Sequence, residues 1–161
     1  MPLQCEIVTQ ERTVFSAQVD AVNLPTPEGR MGVLPNHMVM LTTLGFGEVL
    51  VRRGGEQEYF AIGGGFAEIL PDRVTLLADS AEEAEEIDVE RAQRARDRAE
   101  RAMSEGIPED SERYAQIEAS LRRAQIRIEV SRRRGTGRRR RAMPAGGGRS
   151  SARPEEPGES E

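Results

Sequence analysis

The sequence predicts an α+β fold: an antiparallel β-sandwich over residues 1–84, an antiparallel two-helix hairpin over residues 85–134, and a disordered arginine-rich tail over residues 135–161. Three observations predict it. Five of the six aromatic residues, Phe15, Phe46, Tyr59, Phe60 and Phe66, fall in the first 66 residues, so the apolar core is N-terminal. After Ala78 the hydrophobic period changes from about two to about three and a half. The charge divides at the same place: residues 1–87 carry 5 arginines and 14 acids (net −9), and residues 88–161 carry 18 arginines and 14 acids (net +4).

Taken in order, Leu3 to Val8 and Val14 to Leu24 are apolar, β-branched runs that read as strands. A proline- and glycine-rich loop, LPTPEGRMGVLPNH, separates them from a third apolar stretch, Met38 to Leu44. Val49 to Arg53 joins Glu56 to Ile62 through Gly54-Gly55, a pair that tolerates the positive φ angles of a tight hairpin turn. Phe66 to Leu70 joins Val74 to Ala78 through Pro71-Asp72, where proline presets φ and aspartate bonds back to the backbone. Gly63-Gly64-Gly65 precedes a strand and no helix, so a bulge or tight strand connection explains it better than a phosphate loop.

Residues 88–105 set Val89, Ala92, Ala95, Ala99 and Ala102 at steps of 3, 3, 4 and 3, one face of a helix, with Asp88 as N-cap and Gly106 and Pro108 at the stop. Residues 110–133 set Tyr114, Ile117, Leu121, Ala124 and Ile128 at steps of 3, 4, 3 and 4. A seam that offers mostly alanine buries little area, so the hairpin is expected to hold weakly and to be able to separate from the sandwich, or open, without unfolding it; an ordinary packed hairpin is the blander reading of the same pattern. Residues 135–161 hold almost nothing to bury.

Several function classes fall away on composition. No stretch approaches the ~18 apolar residues of a membrane-spanning helix. The start, MPLQCEIVTQ, lacks the basic and apolar regions of a secretory signal, and the single cysteine, Cys5, with a single histidine, His37, excludes an internal disulfide and an ordinary zinc site. A reducing compartment is expected. All 23 basic residues are arginine, which removes every scheme that needs a lysine amine. No nucleophile, base and oxyanion donor come together, so no catalytic residue is assigned.

Arginines offer the clearest candidate site. Arg91, Arg94, Arg98 and Arg101 form a stripe at steps of 3, 4 and 3. Glu90 and Asp97 stand four residues before Arg94 and Arg101, whereas Arg91, Arg98 and, on the second helix, Arg127 have no acid at that spacing. If the helices fold back on each other, Arg91 and Arg98 can meet Arg123 and Arg127 around one phosphate group, which guanidinium forks bind in bidentate fashion. A solvated arginine face is the blander reading of the same spacing.

In this order and spacing, the strings EIVTQERTVFSAQVDAV, PEGRMGVLPNHMVMLTTL, YFAIGGGFAEIL, VTLLADSAEEAEEID and the hairpin from IDVERA to RRAQIRIEV resemble the epsilon subunit of F-type ATP synthases, across residues 3 to about 133. The resemblance implies a non-catalytic subunit whose sandwich binds the central-stalk gamma subunit and the c-ring, with Arg30, Met31, His37 and Met38 as interface candidates. It implies proton-coupled rotation, and a mobile hairpin that extends towards the alpha and beta subunits and inhibits ATP hydrolysis. It also implies a position at the cytoplasmic face of the bacterial inner membrane, with membrane contact only through the complex, no nucleic acid partner and no resident cofactor. Some members bind regulatory ATP on the folded hairpin through an I/L-D-x-x-R-A motif, which stands here as Ile87, Asp88, Arg91 and Ala92, with Glu82 before it and Arg98, Arg123 and Arg127 after it. Two positions depart from the pattern: Val39 replaces the usual proline after the histidine loop, and Arg30 stands where an acid is often found. The rival reading from another class is a polyanion- or nucleic-acid-binding module that uses residues 132–141 as its basic element.

Overall fold

A computed structural model describes residues 2–135 of the chain. Eight strands are followed by two helices: β1 (Leu3–Val8), β2 (Thr13–Val19), β3 (Ala21–Thr26), β4 (Gly29–Val33), β5 (Met40–Arg53), β6 (Glu56–Leu70), β7 (Arg73–Ala78), β8 (Ala81–Glu83), then α1 (Val89–Ser104) and α2 (Glu112–Ser131). The strand order is β2-β1-β7-β6-β5-β3-β4, with β8 also on β6. The pairs are antiparallel except β1 with β7.

Two layers arise because β5 and β6 are long enough to serve both. The first half of β6 pairs with β8 at Phe60–Ile62 and the second half pairs with β7 at Gly65–Leu70. Between the halves lies the triple glycine. Gly64 and Gly65 have φ of +91° and +120°, and a Cβ on Gly65 would strike the Leu77 carbonyl. The expected strand connection is therefore a corner inside one continuous strand. The layers enclose Leu3, Ile7, Leu24, Phe60, Ile62, Ile69 and Leu76, all fully buried, and the Cys5 side chain lies among them.

The run from Val14 to Leu24 is divided at Asp20, because its two halves belong to different layers: β2 pairs with β1, and β3 pairs with β5. Asp20 holds this crossing, its carboxylate accepting from Gly54 N at 2.8 Å and its own N–H donating to Arg52 O at 2.8 Å. The supposed loop LPTPEGRMGVLPNH is largely strand: Pro25 sits on β3 opposite Arg30 of the edge strand β4, past the residues Ala21–Asn23 that pair with β5, so its missing N–H breaks no ladder bond.

Both helices start as their caps require. Asp88 Oδ1 accepts from Arg91 N at 3.0 Å and Ser111 Oγ from Tyr114 N at 3.1 Å. Gly106, with φ of +77°, follows the end of α1. Ala92, Ala99, Ala124 and Ile128 are the buried residues of the seam between the helices. A second small apolar cluster, Ala61, Ala84, Ile87 and Val130 with Tyr59 and Ile126 beside it, seats α2 on the outer face of β6. The expectation of a disordered tail falls on residues 135–161, of which all but Gly135 lie outside the described residues.

Candidate nucleotide pocket and partner surface

The seating of α2 on β6 leaves a pocket of about 260 Å³ between helix and sheet. Its helix wall is Arg123, Ile126 and Arg127, and its strand wall is Ile62, Gly63, Ser80 and Glu82. Gly63 sets the depth. A Cβ there would collide with the Ser80 hydroxyl and lie 3.2 Å from Arg123 Cγ. Glu82 faces Arg127 across the pocket, and the guanidinium makes a fork, Nε to Oε2 at 2.7 Å and Nη2 to Oε1 at 3.3 Å. Both side chains are about a quarter exposed, at 26% each, so this pair is screened less than a surface pair. Arg123 has no ion-pair partner among the described residues.

Three of the seven nucleotide-site candidates, Glu82, Arg123 and Arg127, therefore converge. The other four are placed on or beside α1 and do not line the pocket. Asp88 is occupied as the N-cap, Ala92 is fully buried in the helix seam, and Arg91 and Arg98 lie exposed on α1. On that helix Glu90 pairs with Arg94 at 3.9 Å as expected, but Asp97 is taken by its neighbour Arg96 at 3.1 Å instead of Arg101.

The acidic run before α1 is crowded. Glu83 on β8 has its carboxyl pushed up from the ordinary range, first by burial and then by Glu58, Glu86 and Glu85, with Arg12 acting the other way. Glu58 Oε2 is buried without a hydrogen bond, and Arg53 approaches it at 3.6 Å. Burial, and to a lesser degree Glu6 and Glu58, pushes the Cys5 thiol up to about 12, so it is chemically inert at neutral pH.

The interface candidates lie on β4 and in the turn before β5. Arg30 on β4 reaches Glu48 at 3.4 Å, Met31 packs partly into the core, and His37 sits in the turn before β5 with Nδ1 2.8 Å from Met38 O. Met38 is 74% exposed. Beyond the four candidates, Leu34, Leu41 and Val39, the last noted above only as a departure from the family pattern, are exposed, and Phe66 stands exposed opposite Leu77 across β6 and β7. The readable signal was the apolar run LPNHMVML. Large apolar side chains left exposed in this number are candidates for an interaction surface. Among the described residues no helix is long and apolar enough to cross a membrane, and no group of three or more His, Cys, Asp or Glu is placed to hold a metal ion.

This architecture has known counterparts. The ATP synthase delta/epsilon chain β-sandwich domain matches residues 2–84, and the long α-helix domain of the same chains matches residues 85–132. The chain belongs to the ATP synthase delta/epsilon chain family. Within it, the chain is 49% identical to the ATP synthase epsilon chain of Herpetosiphon aurantiacus over 132 residues, 82% of this chain and 96% of that one. It is 44% identical to the epsilon chain of Chloroflexus aggregans over 81% of this chain and 93% of the other. Among solved structures, a chain of the Euglena gracilis mitochondrial ATP synthase, in an assembly of OSCP, F1 and c-ring, superposes with a TM-score of 0.67 at 28% identity over 81% of both chains. A chain from the Tetrahymena thermophila central stalk and c-ring shares the fold, with a TM-score of 0.53 at 10% identity over 81% of this chain and 97% of that one. As an epsilon chain, the protein is a non-catalytic central-stalk subunit of the proton-transporting F-type rotary ATP synthase, a membrane-associated complex.

Proposed function

We propose that the chain couples rotation to proton flow through its sandwich and restrains ATP hydrolysis through its helical arm, with ATP favouring the folded arm. The single observation that carries this reading is the pocket shared by Glu82 on the sandwich and Arg123 and Arg127 on α2. A ligand seated there touches both bodies at once. It binds the folded arrangement and loses its site in the extended one, and such a difference in affinity is what shifts an equilibrium. Arg123, which has no ion-pair partner among the described residues, suits a phosphate group, and Arg127 is shared between that group and Glu82. Arg91 and Arg98 join only if their long side chains turn inward from α1.

The exposed apolar surface of Leu34, Met38, Val39, Leu41, Phe66 and Leu77, with Arg30, Met31 and His37 beside it, supports docking on the gamma subunit and the c-ring. When the arm extends, it reaches the alpha and beta subunits. The chain then lies on the cytoplasmic face of the bacterial inner membrane and meets the membrane only through the complex.

Isothermal titration of the full chain with ATP tests the pocket. Heat of binding at millimolar ATP is expected for the wild type, with loss on Arg127→Ala and a smaller effect of Arg91→Ala; no heat from the wild type overturns the ligand. ATPase activity of the reconstituted catalytic complex tests the arm: a chain ending at Ala84 is expected to leave hydrolysis higher than the full chain does.

A further inference from the structure

The end of α2 makes a set of contacts that begins at Val130 and runs on past residue 132, where the match to the family's helical domain stops. Val130 is fully buried against Ala84 and Ile87. Just after it, Arg133 Nε donates to Glu48 Oε2 at 3.1 Å while its guanidinium lies 5.4 Å above the Tyr59 ring. Arg134 Nε donates to the Ala84 carbonyl at 2.8 Å, and Gly135 N donates to Glu85 Oε1 at 3.0 Å. Glu48 is well covered, its side chain 11% exposed. Four successive elements of attachment thus fall within six residues, and they grip two places: the face of β5 and β6, and the turn that leads into α1.

The position matters more than the number. The arm is joined covalently to the sandwich only through residues 84–88, so any swing of the arm turns about that segment. Arg134 and Gly135 bind Ala84 and Glu85, which ties the arm's last turn to its own hinge across 50 residues of chain. The hinge cannot turn while these bonds hold. The helix seam, by contrast, is lined mostly by alanine and lies within the arm itself.

We infer that residues 130–135 are a clasp that locks the hinge of the folded arm, independent of the pocket at Arg127. The inference rests on the reading of a mobile arm given above and adds its release point. The clasp uses charge on both of its grips, so salt loosens it, and it acts whether or not a nucleotide is present.

Hydrogen exchange of the full chain, read peptide by peptide, tests it with two variants that cut different grips, Arg134→Gln and Glu48→Gln. The expected result is exchange in residues 112–131 faster by about fivefold or more in each variant, with β1, β6 and β7 as protected as in the wild type, which also certifies that the sandwich is folded. Raising salt is expected to speed the wild type's arm more than that of Glu48→Gln. If the arm opens separately in the wild type but neither variant speeds it, the clasp is overturned and the mobile arm stands. If arm and sandwich exchange in a single step in the wild type, the mobile arm falls and the clasp with it.

Discussion

The sandwich and the arm are held by different physics. Seventeen buried residues, Phe60, Leu24 and Ile69 among them, form one continuous core between the two layers of strand. Among the described residues, a small cluster of four buried residues, Ala61, Ala84, Ile87 and Val130, with Tyr59 and Ile126 beside it, seats the arm on the sheet, and polar contacts add to its hold: Arg127 on Glu82, Arg133 on Glu48, Arg134 on the Ala84 carbonyl. Apolar burial is not screened by ionic strength or competed for by an anion, whereas guanidinium pairs are open to both. The contrast teaches how one short chain can join two differently held regions: the sandwich is given area, and the arm is given directed bonds, as the movable arm proposed above requires.

The strongest way to break the contrast is to damage the core. Leu76→Ala, at a fully buried site, is expected to cost about 2–5 kcal/mol and to lower the unfolding midpoint of the whole protein in urea. Ile87→Ala removes the largest side chain of the small seat under α2. Here about 2–4 kcal/mol is lost from docking rather than from the sandwich, so exchange of α2 amides should approach that of an undocked helix while the sandwich keeps its protection. Should Ile87→Ala instead lower both together, the two regions are one cooperative unit and the contrast fails.

A smaller effect sharpens it from inside the arm. Ser111→Ala deletes the N-cap of α2 and is expected to cost about 1 kcal/mol, visible as fraying of residues 112–116 in hydrogen exchange. The smallest concerns acid. Burial first, and then Glu58, Glu86 and Glu85, raise the Glu83 carboxyl above its unfolded value, so the native state holds that proton more tightly than the unfolded chain does. Stability from this group is therefore present at low pH and is lost as pH rises through the ordinary range and on through the raised one. Glu83→Gln should raise the melting temperature at neutral pH by about 1–2 °C, and the gain should vanish near pH ~4.

Much of this was legible one residue at a time. Gly54-Gly55 and Pro71-Asp72 mark the turns on either side of β6, and Asp88, Gly106 and the alanine period mark α1, because turn and cap chemistry acts over a few residues. Gly63-Gly64-Gly65 announced an irregularity, but not that one strand turns there from one layer to the other. Strand β4 went unread for a similar reason: its sequence, Gly29–Val33, is poor in strand formers and is held in place by β3. The spacing of arginines on α2 correctly put Arg123 and Arg127 on one side, yet spacing could not say that the acid for Arg127 stands 45 residues away at Glu82; that residue came from family resemblance.

The sequence by itself determined the two regions, the boundary near residue 84, the helix starts and the reservoir of arginine charge, because periodicity, capping and charge are properties of neighbours along the chain. Tertiary structure alone decided where each arginine is placed and what it meets. Whether a guanidinium meets a carboxylate depends on which strand packs beneath the helix, and only folding brought Arg133 over Glu48 and Tyr59 and set Arg134 against the hinge at Ala84.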